Sequence, residues 1–185
     1  MAKDNKFYTV EKNICGVDYI AQFNGLSLAM RCTDESYIDG TDNISLAKLG
    51  AFILDKVIVS PRVSLDSFAK EKIGQEETKE INGVVYTAKF NGIKTALRCT
   101  DESYIDGTEN LSTEKINKFV LENVITSPEN LDIDDFECIE DLREVIDFAS
   151  DVMWGGADNK KHYHELINFG QRVMQGRFRD KAKKS

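Results

Sequence analysis

The stretch RCTDESYIDGT spans residues 31–41, and the same eleven residues return at 98–108. The offset is 67 residues (98 − 31), and it holds well beyond the block. Residues 14–61 align with 81–128 without a gap, giving 29 identities in 48 positions. A match of that density marks an internal duplication. The identities are uneven: the block is perfect, while the other 37 positions keep 18 (29 − 11). Two explanations of the block stand side by side. It is a helix end retained after recent duplication, or it is a pair of working surfaces.

Upstream of the block each copy predicts a β-hairpin. The second reads TKEINGVVYTAKFNG, and Asn82-Gly83 is the preferred two-residue type I′ turn, in which both central residues need positive φ. Val85, Thr87 and Lys89 alternate with Val84, Tyr86, Ala88 and Phe90, as in a strand with two unlike faces. The first copy reads FYTVEKNICGVDYIAQFNG and puts Cys15-Gly16 in the turn, a chemically poorer choice. Asn24-Gly25 and Asn91-Gly92 end the strands. A helix should follow, since Ile93, Leu97, Thr100 and Tyr104 recur at helical spacing, as do Leu26, Met30, Thr33 and Tyr37. Gly40 and Gly107 are expected to cap these helices in the left-handed region. The block is then the last turns of a helix with Asp34, Glu35 and Ser36 exposed.

Downstream, Ser45 and Ser112 are expected N-caps of a second helix. Its apolar stripe is Leu49, Phe52, Ile53 and Val57 in one copy and Ile116, Phe119, Val120 and Val124 in the other. Pro61 and Pro128, the two prolines of the chain, are expected to stop these helices. Beyond them the copies part. The second runs into IDDFECIEDLREVIDFASDVMW, a long helix from about Asp135 to Trp154 with Ile139, Leu142, Ile146, Ala149 and Met153 as its stripe. The first gives only VSLDSF before a polar linker, so it reads as a truncated unit. Gly155-Gly156 breaks the long helix, and a last helix is expected over 158–178 with Tyr163, Leu166, Ile167 and Val173 on one side.

The expected fold is α+β: two tandem repeats, each a β-hairpin followed by helices, plus a C-terminal helical segment. The boundaries fall at 1–70, 71–157 and 158–185.

A chain of 185 residues with 41% hydrophobic content suits a folded protein. No apolar run approaches the roughly 20 residues that span a bilayer, so no membrane partner is expected. The first residues, MAKDNKFYTV, lack the apolar core of a signal peptide, and a cytoplasmic location follows by default. The net charge of −8 argues against nucleic acid as a partner, although the tail GRFRDKAKKS is basic. Cys15, Cys32, Cys99 and Cys138 form no C-x-x-C pair and lie at no zinc-ligand spacing from a histidine; all four read as reduced, small apolar residues.

Chemistry needs a constellation, and the sequence offers none. His162 and His164 stand two apart on an expected helix and point about 200° away from each other. TDESYIDGTDN lacks the spacing and the closing Glu of an EF-hand loop, and the glycines form no phosphate-cradling motif. No catalytic residue, cofactor or metal is expected. The candidate surface is a partner-binding one: Asp34, Glu35, Ser36 and Asp39, repeated as Asp101, Glu102, Ser103 and Asp106. These residues are identical in both copies, while apolar positions such as Met30/Leu97 and Ile53/Val120 have drifted.

The order of elements in the second copy, a hairpin around INGVVYTAKF, a helix and then LENVITSPENLDIDDFECIEDLREVIDFASDVMWG, resembles the tail assembly chaperones of long-tailed bacteriophages and of prophages in Gram-positive hosts. The matching residues are Val124, Ile125 and Pro128 of a V-I-x-x-P motif, and Leu131, Asp132, Asp134, Asp135 and Phe136 of an acidic L-D-x-D-D-F segment. Val57, Ile58, Pro61, Leu65, Asp66 and Phe68 repeat a shortened version. The resemblance covers 81–155 well and 7–68 in part. It implies a non-enzymatic assembly factor working in the bacterial cytoplasm, with tape-measure and tail-tube proteins as partners; homo-oligomerisation stays open. The alternative is an acidic module of mobile-element origin that sequesters a host protein, for example one of a defence system.

Overall fold

Two left-handed residues in succession close each hairpin. Asn82 and Gly83 have φ of 49° and 79°; Cys15 and Gly16 have 50° and 83°. The turns join strand β1 (Tyr8–Ile14) to β2 (Val17–Phe23), and β4 (Glu76–Ile81) to β5 (Val84–Lys89). These strands belong to a computed structural model that describes residues 7–178. The basic tail read from the sequence lies mostly beyond them, from 179 on.

The element order is the same in both copies. After the hairpin come α1 (Leu26–Ser36) and α2 (Leu46–Lys56) in the first, α3 (Ile93–Glu102) and α4 (Thr113–Asn123) in the second. The expected N-caps form: Ser45 Oγ accepts from Lys48 N and Ser112 Oγ from Lys115 N. The fold is α+β, with two small three-stranded antiparallel sheets and six helices among the described residues.

The third strand of each sheet corrects the sequence reading. The prolines do not stop the helices, which end at Lys56 and Asn123. The next residues form short strands, β3 (Ile58–Ser60) and β6 (Ile125–Ser127), that pair antiparallel with β2 and β5. Pro61 and Pro128 sit just past these strands, where their missing N–H removes no ladder bond. The β-branched residues after each helix can pair because the hairpin edge is open to them. Gln22 N donates to Val57 O at 2.9 Å, and Lys89 N to Val124 O at 2.9 Å.

The compact units also differ from the boundaries read along the chain. The second comprises 68–160. In it α5 (Ile139–Met153) packs against β4, β5, α3 and α4, and buries Leu142, Val145, Ile146, Ala149, Val152 and Met153. The helix starts at 139, later than expected. Residues Ile133–Asp135 instead form a 3-10 turn closed by a capping box between Asp132 and Asp135. Ile139, assigned to the stripe, is 58% exposed.

Among the described residues the first unit comprises 7–67 together with 161–178. Residues from Lys161 on in α6 (Ala157–Met174) belong to this compact unit. Tyr163, Leu166, Ile167 and Val173 are buried as the spacing predicted, and Phe169 joins them. Gly50 and Gly170 permit the close approach. A Cβ on Gly50 would collide with the Tyr163 hydroxyl, and one on Gly170 with the Ile53 side chain. Sequence order hides this arrangement because the closing helix lies about a hundred residues after the elements it covers.

The first helices differ between copies. Ile93 and Leu97 are fully buried, while their counterparts Leu26 and Met30 are 56% and 67% exposed. The periodicity marked both faces alike, and packing separates them, since α5 lies against α3 in the second unit.

Candidate functional site

The repeated block begins on the last turns of α1 and α3. Arg31 Nε lies 3.3 Å from Glu35 and Arg98 Nε 3.1 Å from Glu102, one helical turn apart. The same guanidinium groups stand over aromatic rings of the following helix, Arg31 over Phe52 at 5.6 Å and Arg98 over Phe119 at 4.9 Å. Each block thus ties its first helix to its second.

Ser36 and Ser103, read as exposed, are buried at 0% and 1%. They cannot contact a partner directly. Their polar groups are satisfied inside. Ser36 O accepts from Ser45 N at 2.7 Å and Ser103 O from Ser112 N at 2.8 Å; Ser103 Oγ donates to Cys99 O at 2.5 Å. The Cys99 thiol beside it is pushed up to about 11, chiefly by burial, so it stays protonated. Cys32 and Cys99 are buried as expected, but Cys15 and Cys138 are exposed and belong to no core.

The chain then makes a closed loop. Tyr37 bridges Ile44, and Tyr104 bridges Leu111. Ile38 N donates to Asn43 O at 2.9 Å and Ile105 N to Asn110 O at 2.8 Å. Thr41 and Thr108 hydroxyls donate to the carbonyls of Ile38 and Ile105 and accept from Asn43 N and Asn110 N. Gly40 and Gly107, with φ of 79° and 75°, turn inside this loop, and the helix C-caps fall earlier, at Tyr37 and Ser103. A lysine locks the loop from outside. Lys48 Nζ reaches Tyr37 O at 2.8 Å and Asp39 at 3.0 Å; Lys115 Nζ reaches Tyr104 O at 2.8 Å and Asp106 at 3.1 Å.

Of the eight candidate residues, the structure brings Asp34, Glu35 and Asp39 to one exposed helix end, and Glu102 and Asp106 to its counterpart. Asp101 is half-buried. Glu35 and Glu102 each pair with an arginine of the same helix, and Asp39 and Asp106 with a lysine of the next, but all four carboxylates stay exposed, where such pairs are weak. The sequence reading missed Lys48 and Lys115. Their signal was present: both lie nine residues after an Asp of the block, in an otherwise drifting stretch.

The two histidines separate as expected. Tyr19 Oη and His162 Nε2 are 2.9 Å apart within the first unit. Burial holds the imidazole below its ordinary value, opposed by Glu165. Among the described residues, no group of three or more His, Cys, Asp or Glu side chains could hold a metal ion. No helix among them is long and apolar enough to cross a membrane.

No protein-family model matches the chain, and no curated protein or solved structure matches it either.

Proposed function

We propose that this protein is a non-enzymatic assembly factor of the phage tail-chaperone type, one that binds tape-measure and tail-tube proteins in the bacterial cytoplasm. The observation that carries the reading is the second unit. There the motifs of the resemblance occupy one continuous structural path: hairpin, two helices, the Ile125–Ser127 strand, the acidic 3-10 turn at Ile133–Asp135 and the acidic helix α5. We further propose that the chain is two copies of one such unit, with the second copy interposed between the first copy's body and its closing helix. The matched caps, loops and lysine ties of the two blocks support this duplication.

The twin helix ends with Asp34, Glu35 and Asp39, and with Asp101, Glu102 and Asp106, are proposed partner contacts. Ser36 and Ser103 support them from within. Co-expression with the tail-tube and tape-measure proteins of the same genetic element, followed by affinity capture of this chain, tests the function. Both should be retained through a salt wash. Retention of neither would overturn the reading, and stable capture of a host protein in their place would favour the sequestering module.

A further inference from the structure

The first unit is built from two stretches that meet only in space. Residues 7–67 form its sheet and its first two helices, and 161–178 bring the helix that lies on them. Each stretch is joined through the chain to the second unit and not to the other stretch. One of the two junctions has no loop to hinge on, because α6 runs unbroken from Ala157 to Met174 through residues 160 and 161. The start of that helix is held within the second unit. Asn159 Nδ2 donates to Trp154 O at 2.7 Å, and Lys160 Nζ stands 5.6 Å from the centre of the Trp154 ring.

The other junction is short and strained. Leu65 is buried and packs against α2 in the first unit, while Phe68, also buried, belongs to the second. Only Asp66 and Ser67 separate these two anchors, and both are exposed. Ala69 follows with φ of 50° and ψ of 39°. Its Cβ makes that left-handed conformation unfavourable, and a 3-10 turn holds it there, with Lys72 N donating to Ala69 O at 2.9 Å. A short link under strain between two parts that belong together favours exchange of those parts between chains.

The parts fit each other closely. Tyr163, Ile167 and Val173 are buried, and the helix approaches α2 at Gly50 and Gly170, where a Cβ would collide. An exchanged pair remakes each of these contacts between two chains. It therefore needs no further complementary surface, and its interface has the apolar character of a core, as obligate interfaces do.

We propose that two copies of this chain associate by exchange: residues 7–67 of each close on residues 161–178 of the other, with the hinge at 66–69. The occupant of the face that α6 covers is then α6 of a second copy. Exchange requires the first unit to open, so monomer and dimer interconvert slowly, and the second unit stays folded while they do.

A disulfide reports which chain supplies the helix. A Cβ built on Gly170 lies 3.8 Å from Ile53 Cβ, the usual separation across a disulfide. The full chain would carry Ile53→Cys and Gly170→Cys, with the exposed thiols removed by Cys15→Ser and Cys138→Ser. Samples from micromolar to millimolar would be warmed into the melting of the first unit, cooled, oxidised and run on non-reducing gels. Exchange predicts a covalent dimer whose share rises with concentration. In the wild-type chain, mixed from labelled and unlabelled material and treated in the same way, isotope-filtered NOEs from Tyr163 to residues of α2 should cross between chains in the dimer fraction. This second measurement does not depend on the folding of the cysteine variant. Ala69→Gly, which removes the strain, and a Gly-Ser-Gly-Ser insertion after Ser67, which lengthens the link, should each lower the association constant by about tenfold or more in light scattering. A wild-type chain that stays monomeric at millimolar concentration would overturn the proposal. So would a dimer without cross-chain NOEs, a disulfide closed within single chains at every concentration, or an association constant unchanged in both link variants.

Discussion

Removing residues 161–185 should unfold the first unit and leave the second standing. Within 161–174 the closing helix buries Tyr163, Leu166, Ile167, Phe169, Val173 and Met174. At about 1.5–3 kcal/mol for each fully buried apolar side chain, the six contribute on the order of 9–18 kcal/mol. That equals or exceeds the roughly 5–15 kcal/mol by which a whole domain is stable. A chain of residues 1–160 should therefore show dispersed amide signals for β4, β5 and α5, with random-coil positions for β1, β2 and α2. The fragment 68–160 should melt cooperatively by itself. A milder version is Leu166→Ala, at a position with 0% exposure, expected to cost about 2–5 kcal/mol and to lower the melting of the first unit alone. Hydrogen exchange resolved by residue reads both experiments. Native-like protection of Tyr19 and Ala21 in the 1–160 chain would refute the assignment of the closing helix, as would loss of protection in the second unit at Leu166→Ala.

Four further outcomes are expected. Cys15→Asn should stabilise the first hairpin by up to about 1 kcal/mol, because Asn tolerates the left-handed backbone that Cys15 adopts at φ 50°; an unchanged or lower melting temperature would contradict this. Gly50→Asn, the residue of the second copy, should drive a side chain into the Tyr163 ring and cost about 1–3 kcal/mol by overpacking, measured by denaturant unfolding. His162, whose proton affinity is lowered in the fold chiefly by burial, takes up a proton more readily when unfolded. Its contribution is present above its ordinary value and is lost as pH falls below about 6.5; the loss should shrink in His162→Gln, and an identical pH–melting profile in the two proteins would contradict the assignment. Replacing Asp34, Glu35, Asp101 and Glu102 together by Asn or Gln should shift stability little, since exposed pairs such as Arg31–Glu35 are worth at most about 1 kcal/mol each, while partner capture falls if the helix ends are contacts.

The identity of the block now has a physical account. Arg31 and Glu35 pair, Ser36 is sealed inside, Thr41 closes the loop, Gly40 supplies the left-handed turn and Asp39 meets Lys48. Several of its polar residues bond within the block or to the helix that follows it, so part of the identity has a structural account. This weakens the argument that identity alone marks a docking surface, and leaves Asp34 as the candidate of the first copy with no such local role.

Local chemistry was readable from the sequence because it is local. Two-residue turns with Asn-Gly or Cys-Gly, serine caps at 45 and 112 and the 3.6-residue stripes of α2 and α4 depend on neighbours a few positions away. The identity of 31–41 with 98–108 needed no structure at all. What the sequence could not determine depends on contacts between distant residues. Short runs such as Ile58–Ser60 are too brief to carry a period, and only the open edge of β2 makes them strands. Leu26 and Ile93 have the same pattern around them, and packing alone exposes one and buries the other. Tertiary structure also decided that the first compact unit draws on the end of the chain. Residues from Lys161 on lie about a hundred positions after α2 in the chain, and burial against Ile53 and Gly50, not sequence proximity, assigns them there.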